Sequence, residues 1–136
     1  MAGSTGTVTI TENNSWGHVT QVLFTWVTGT SNQKDVAPAT PTAATYNGKI
    51  LAFITSPSTS AQPDDNYDIT LTNSDGWDVL SGGAANRDEA TTEFIFNGST
   101  APTTFRMLPL ANTVLTFNIT NGGTGKEGTA TLFLGV

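Results

Sequence analysis

Tyr67-Asp68-Ile69-Thr70-Leu71-Thr72 runs into Asn73-Ser74-Asp75-Gly76 and then into Trp77-Asp78-Val79-Leu80. The first six residues alternate apolar and polar without a break. Successive side chains of a strand point to opposite faces, so Tyr67, Ile69 and Leu71 are expected to face a core and Asp68, Thr70 and Thr72 to face away. Asn-Ser-Asp-Gly supplies turn chemistry, because Asn and Asp hydrogen-bond nearby backbone and Gly accepts positive φ. The spacing predicts a hairpin, with Trp77 to Leu80 as a short returning strand.

Working outward, the same pattern recurs in both directions. Thr7-Val8-Thr9-Ile10-Thr11 has strict period two and reads as a half-buried strand. In His18 to Val27, Val22, Phe24 and Trp26 share one face while Leu23 and Val27 make the other partly apolar, which predicts a central strand. Tyr46-Asn47-Gly48-Lys49 reads as a tight turn leading into Ile50-Leu51-Ala52-Phe53-Ile54-Thr55, apolar on both faces as in a strand covered on both sides. Thr92-Glu93-Phe94-Ile95-Phe96 is a further brief strand and Asn97-Gly98 a turn. Thr104 to Leu110 is an edge strand interrupted by Pro109. Ala84 to Thr91 has room for one helical turn. Thr113 to Thr120 and Thr129 to Leu134 are expected to close the chain as a hairpin around Asn121 to Gly128. Residues 1–6 read as a flexible N-terminal segment and residues 28–45 as a long loop. Eight or nine short antiparallel strands and no long amphipathic helix predict one all-β domain over residues 1–136, a jelly-roll-like β-sandwich.

Composition agrees and narrows the function. The chain has 136 residues, no cysteine, one histidine and a formal charge of -6. Without cysteine there is no disulfide framework, no thiolate metal site and no thiol nucleophile. Only 12% of residues are charged, against roughly a quarter in an average protein, so polarity rests on hydroxyls and amides; about one residue in five is Thr. The five basic residues, Lys34, Lys49, Arg87, Arg106 and Lys126, fall singly. An acidic chain without a basic patch is a poor partner for phosphate backbones, so no nucleic-acid partner is expected. No apolar run reaches the ~20 residues of a membrane span and no export signal opens the chain, so no membrane partner is expected either.

Eight of the eleven acidic residues lie between Asp64 and Glu93. Asn73-x-Asp75-Gly76-x-Asp78 offers the hard oxygen donors that Ca²⁺ takes, but lacks the distal bidentate Glu of a calcium loop. The expectation is a turn, with Asp68 and Asp78 as solvent-facing members of alternating strands and no metal or cofactor. No Gly-x-Ser-x-Gly elbow accompanies His18, and no carboxylate spacing defines a glycosidase cleft, so no enzyme activity is expected. Trp26, Phe24, Phe53, Phe117 and Tyr67 sit in phase with apolar neighbours and read as core. Trp16 and Trp77, beside glycines at turns, read as end caps or interface anchors, with a sugar-stacking platform as the other reading. The candidate interface residues are Trp16, His18 at a strand entry, Lys34 and Asp35 in the long loop, Trp77, and Arg87 among acids.

The run from Pro63 to Leu80, with Ala85-Asn86-Arg87, Tyr46-Asn47-Gly48-Lys49-Ile50 upstream and Gly128-Thr129-Ala130-Thr131-Leu132-Phe133-Leu134 at the end, resembles small structural proteins of tailed bacteriophages. The likeness spans roughly residues 45 to 136. It implies a capsid cement or decoration protein, a jelly-roll or sandwich domain that binds outside the major capsid protein shell as a homo-dimer or homo-trimer. The implied location is the capsid surface of the virion, after assembly in the host cytoplasm, a reducing compartment that suits a cysteine-free chain. On that reading the N-terminal segment and the 28–45 loop are candidate arms. The alternative is a carbohydrate-binding or adhesin-like sandwich module of a phage tail or head fibre.

Overall fold

The computed structural model describes residues 5–13, 18–31, 34–96 and 107–135. Within them the chain is all β. Nine strands run in the order β1 (Thr7–Asn13), β2 (Val19–Val27), β3 (Thr40–Pro41), β4 (Tyr46–Pro57), β5 (Asp68–Thr72), β6 (Glu93–Phe96), β7 (Leu110–Thr113), β8 (Thr116–Thr120) and β9 (Glu127–Gly135). The larger sheet has the order β1-β2-β9-β4-β6, with β7 paired to the start of β4; the smaller has the order β3-β8-β5. Every pairing is antiparallel. Six of the eight connections change sheets, so most neighbours in sequence are not neighbours in a sheet, and the sandwich is jelly-roll-like.

Period-two patterning places the core between the sheets. Val22, Phe24 and Trp26 of β2 are wholly buried, as are Ala130 and Leu132 of β9, Leu71 of β5 and Phe117 of β8. Two aromatic pairs bridge the layers. Phe24 stacks on Phe117 with centroids 4.8 Å apart, and Trp26 tilts against Tyr67 at 5.6 Å. Gly128 lies under Trp26, where a Cβ would stand 2.5 Å from the indole Cζ2, so the narrowest residue of β9 faces the widest of β2.

A register shift between Ile50 and Ala52 re-phases β4 against β9. The inserted residue explains how Ile50 and Phe53, three positions apart, both point into the core. It also turns Leu51 outward, so the expectation of a strand covered on both faces is corrected: the smaller sheet covers one face only. Tyr46 to Lys49 is the beginning of β4 rather than a turn.

The hairpin at Tyr67 to Leu80 is real at its base and short. Thr72 bridges Asp78, and Val79 N–H donates to Leu71 O at 2.8 Å, but Val79 to Ala84 then coil into successive turns instead of continuing as a strand. No helical turn forms over Ala84 to Thr91. The expected closing hairpin does not exist. β8 lies in the smaller sheet and β9 in the larger, because the Asn121 to Lys126 connection, with positive φ at Asn121, Gly123 and Gly125, carries the chain across the sandwich. The 28–45 stretch contains β3 and is firmly tied. Asp35 N–H donates to Gly123 O, Gly122 N–H to Asp35 O, and Thr42 N–H to Leu115 O, while Ala37 and Thr42 are buried. Asn97-Gly98, residues 1–4 and residues 104–106 of the expected 104–110 strand lie outside the described residues; Met107 to Pro109 are not strand, and Leu110 opens β7.

Candidate functional site

The acidic stretch is occupied with holding loops. Asp78 Oδ1 accepts from Leu71 N–H and Leu80 N–H, and its Oδ2 from Gly82 N–H at 2.8 Å. Asp68 accepts from Asn86 N–H and from Asn121 Nδ2. Asp88 accepts from Ala90 and Thr91 N–H, and these bonds hold its carboxyl below the usual carboxylate range. Glu93 accepts from Asp88 N–H and pairs with Arg87 at 3.3 Å. Asp78 is therefore half-buried and structural, not a solvent-facing strand residue. Glu89 shifts the other way: its own backbone N–H lowers it, but hydrogen bonding and charge from Asp65, with desolvation and Asp88, outweigh that and raise it. Among the described residues no three His, Asp or Glu side chains gather where they could hold a metal.

The core contains a small polar knot. Burial pushes the Tyr67 phenol up to about 12, with the nearby Thr55 hydroxyl and Arg87 pulling down and Glu93 and Asp88 pushing up. Yet Tyr67 Oη, Thr55 Oγ1 and Trp26 Nε1 are buried without a well-formed protein hydrogen bond. Such desolvated groups are a cost to folding.

The candidate interface residues separate into two ends of the sandwich. His18 precedes β2 at the end where Val19 pairs with Gly135 and Lys49 with Gly135, and Trp77 projects from the turn after β5 at that same end. Lys34 and Asp35, both exposed, lie at the opposite end, against Gly122 and Gly123. Arg87 is tied down: its guanidinium donates twice to Ala85 O and pairs with Glu93, and its backbone bridges Tyr67. Trp16 is outside the described residues.

Sequence reasoning missed the outer face of the larger sheet. Phe94 and Phe96 of β6 are 61% and 54% exposed, Leu51 of β4 44% and Val19 of β2 50%. The register sets them in rows. Leu23, Thr131, Ile54 and Phe94 lie side by side across β2, β9, β4 and β6, and Gln21, Phe133, Ala52 and Phe96 form the next row. The following row toward the other end is hydroxylated, with Thr9, Thr25, Thr129 and Ser56 across β1, β2, β9 and β4. The face is thus divided into an apolar half and a threonine half. Its only sequence signal was that Ile50 to Ile54 and Phe94 to Phe96 are apolar at every position, which is equally the pattern of a strand buried on both sides.

Two of the concavities on the described surface bear on the candidate residues. A groove of about 430 Å³ opens between β1 and the 40–46 segment, lined by Val8, Ile10, Pro41 and Ala44 and closed by a hydrogen bond from the Tyr46 hydroxyl to the Glu12 carboxylate. Burial and that carboxylate raise the Tyr46 pKa. A smaller one, about 210 Å³, lies beside Trp77, which is 62% exposed.

No protein-family model, no curated protein and no solved structure matches this chain.

Proposed function

We propose that this chain is a non-enzymatic structural protein that docks through the apolar half of its outer sheet face. On the resemblance of residues 45 to 136 to tailed-phage head proteins, we infer that the surface it docks on is the outside of a phage capsid, where it bridges major capsid protein subunits as a dimer or trimer. The observation that carries the reading is the contiguous exposed set Val19, Leu51, Phe94 and Phe96. Contiguous exposed apolar surface rimmed by polar residues marks protein contact sites.

Magnitudes favour a repeated, shell-bound mode of action. Taking roughly 200 Å² for a phenylalanine side chain, the two rings leave on the order of 200 Å² open at the exposures given above. Burying that area contributes about 5 kcal/mol at roughly 25 cal/mol/Å², similar to the ~4 kcal/mol lower bound for lost rigid-body freedom. One copy alone therefore binds weakly. Copies linked as an oligomer and spanning neighbouring subunits of a symmetric shell gain effective concentration and hold firmly. The threonine half suits the wet, hydrogen-bonded rim of such a contact.

The test is co-sedimentation with capsid shells that lack the protein, combined with the shells' heat resistance. The wild type is expected to bind at a stoichiometry set by local two-fold or three-fold positions and to raise the shell's melting temperature. The double variant Phe94→Ser, Phe96→Ser is expected to keep its circular dichroism spectrum and lose both effects. Failure of the wild type to bind or to change heat resistance overturns the reading.

A further inference from the structure

Trp77 stands out from the rest of the aromatic inventory. The core aromatics Phe24, Trp26, Phe53, Tyr67 and Phe117 are wholly buried, whereas the Trp77 indole is mostly in water, in the turn after β5 of the smaller sheet, while Phe94 lies on β6 of the larger. Its loop is rigid. Asn73 Oδ1 accepts from both Asp75 N–H and Trp77 N–H at 3.0 Å, and Asn73 N–H donates to Trp77 O at 2.9 Å. Ser74 fastens the loop to β7, its N–H donating to Thr113 Oγ1 at 2.8 Å and the two hydroxyls meeting at 2.9 Å. The backbone that carries the ring is held by these bonds, so little backbone entropy is lost when something binds there.

Beside the ring is the 210 Å³ groove, with Pro109 and Ala111 as its apolar wall. It is smaller than the roughly 300–1,000 Å³ typical of drug-sized ligands, which fits one ring of a longer molecule rather than a whole one. Its polar lining has unused capacity. Asn73 spends its carbonyl on the turn; among the described residues no group engages its NH₂, the Asp75 carboxylate or the Asn112 carboxamide. This contrasts with Asp68, Asp78 and Asp88, whose carboxylates are committed to backbone.

A flat apolar ring face flanked by the Asp75 carboxylate, the Asn73 NH₂ and the Asn112 carboxamide matches the two-sided chemistry of a pyranose. The sugar's C–H face stacks on the indole, and adjacent hydroxyls donate to the carboxylate and exchange donor and acceptor bonds with the amides. A nucleobase would also stack, but its phosphates would meet the Asp75 carboxylate, and among the described residues no Lys or Arg lines the groove. The same carboxylate disfavours uronic and other acidic sugars. We propose that the Trp77 groove is a binding subsite for a single neutral hexose or N-acetylhexosamine unit of a glycan, separate from the outer sheet face and independent of its role.

The experiment is titration of the intact protein with chitotetraose, cellotetraose and maltotetraose, with tetragalacturonic acid as the acidic comparison, following the indole N–H resonances by NMR. At least one neutral oligomer is expected to shift the Trp77 resonance saturably at millimolar concentration, leaving that of buried Trp26 in place. Trp77→Ala and Asp75→Ala should each weaken binding about tenfold or more, with circular dichroism unchanged, and the acidic oligomer should bind more weakly than the neutral ones. No saturable shift with any neutral oligomer overturns the proposal. So does binding that survives Trp77→Ala, or a Trp77→Ala variant whose only defect is lost attachment to capsid shells, which assigns the ring to a protein contact.

Discussion

β4 and β6 show two faces made from the same residue types with opposite fates. On the inner face, Ile50, Phe53 and Ile95 are packed under the smaller sheet; on the outer face, Leu51, Ile54, Phe94 and Phe96 look into solvent. Hydrophobicity alone does not distinguish them, because what decides burial is whether another layer lies on top. The larger sheet has five strands in its main path and the smaller three, and all three are on one side. An exposed apolar outer face adds little to the isolated fold, which is why it is proposed above as a contact surface.

The sharpest way to break this comparison is a matched pair of truncations. Phe53→Ala removes a wholly buried ring and is expected to destabilise by about 3–5 kcal/mol. Phe94→Ala removes a mostly exposed ring that pairs across the strand with Ile54 and is expected to change stability by less than about 1 kcal/mol. Urea denaturation of the two variants measures both. Equal losses would mean that the outer face is covered within the isolated chain.

A smaller effect tests the quality of the inner face. Thr55→Val keeps the volume and removes one desolvated hydroxyl, so stability is expected to stay level or rise by up to about 1 kcal/mol. A loss of that size instead would show that Thr55 and Tyr67 share a working hydrogen bond.

The least effect is expected at the surface, where neighbouring acids have opposite signs. The Asp88 pKa is lowered, so its contribution is present above its ordinary value of 3.8 and is lost as pH falls through the lowered value. The Glu89 pKa is raised above 4.5, so its ionised form opposes folding at neutral pH and that penalty disappears as pH falls through the raised value. Thermal melts across pH 3 to 7 should show Asp88→Asn less stable and Glu89→Gln slightly more stable than the parent at pH 7. Both differences should shrink toward the acid end.

Much of the inner face was legible from period two alone. Val22, Phe24 and Trp26 on β2, and Tyr67, Ile69 and Leu71 at β5, all point inward as their alternation requires. What stayed hidden depends on partners distant in sequence. The β4 bulge follows from its register with β9, and the separation of β8 from β9 follows from the loop that crosses between sheets. Asp75 and Asp78 are three residues apart in the same turn-rich segment, yet among the described residues one carboxylate is unengaged and the other holds three backbone N–H groups. Spacing did not separate them, because the coiling of Val79 to Ala84 that brings N–H groups to Asp78 has no periodic signature. Trp77 was legible as an exposed aromatic, but its groove was not, since Asn112 and Pro109 reach it from beyond residue 106.

The seating of β9 between β2 and β4 has a consequence for how the molecule comes into being. Its partners are laid down early in synthesis, and Val19 ends up opposite Gly135, a span of nearly the whole chain. Until β9 emerges from the ribosome, β2 and β4 each lack their main neighbour and the larger sheet has a gap at its middle. Because long-range pairing of this kind is slow to close, the larger sheet is completed only once β9 is available. The outer apolar rows are continuous only once β9 is in place, because Thr131 and Phe133 lie between β2 and β4 in them.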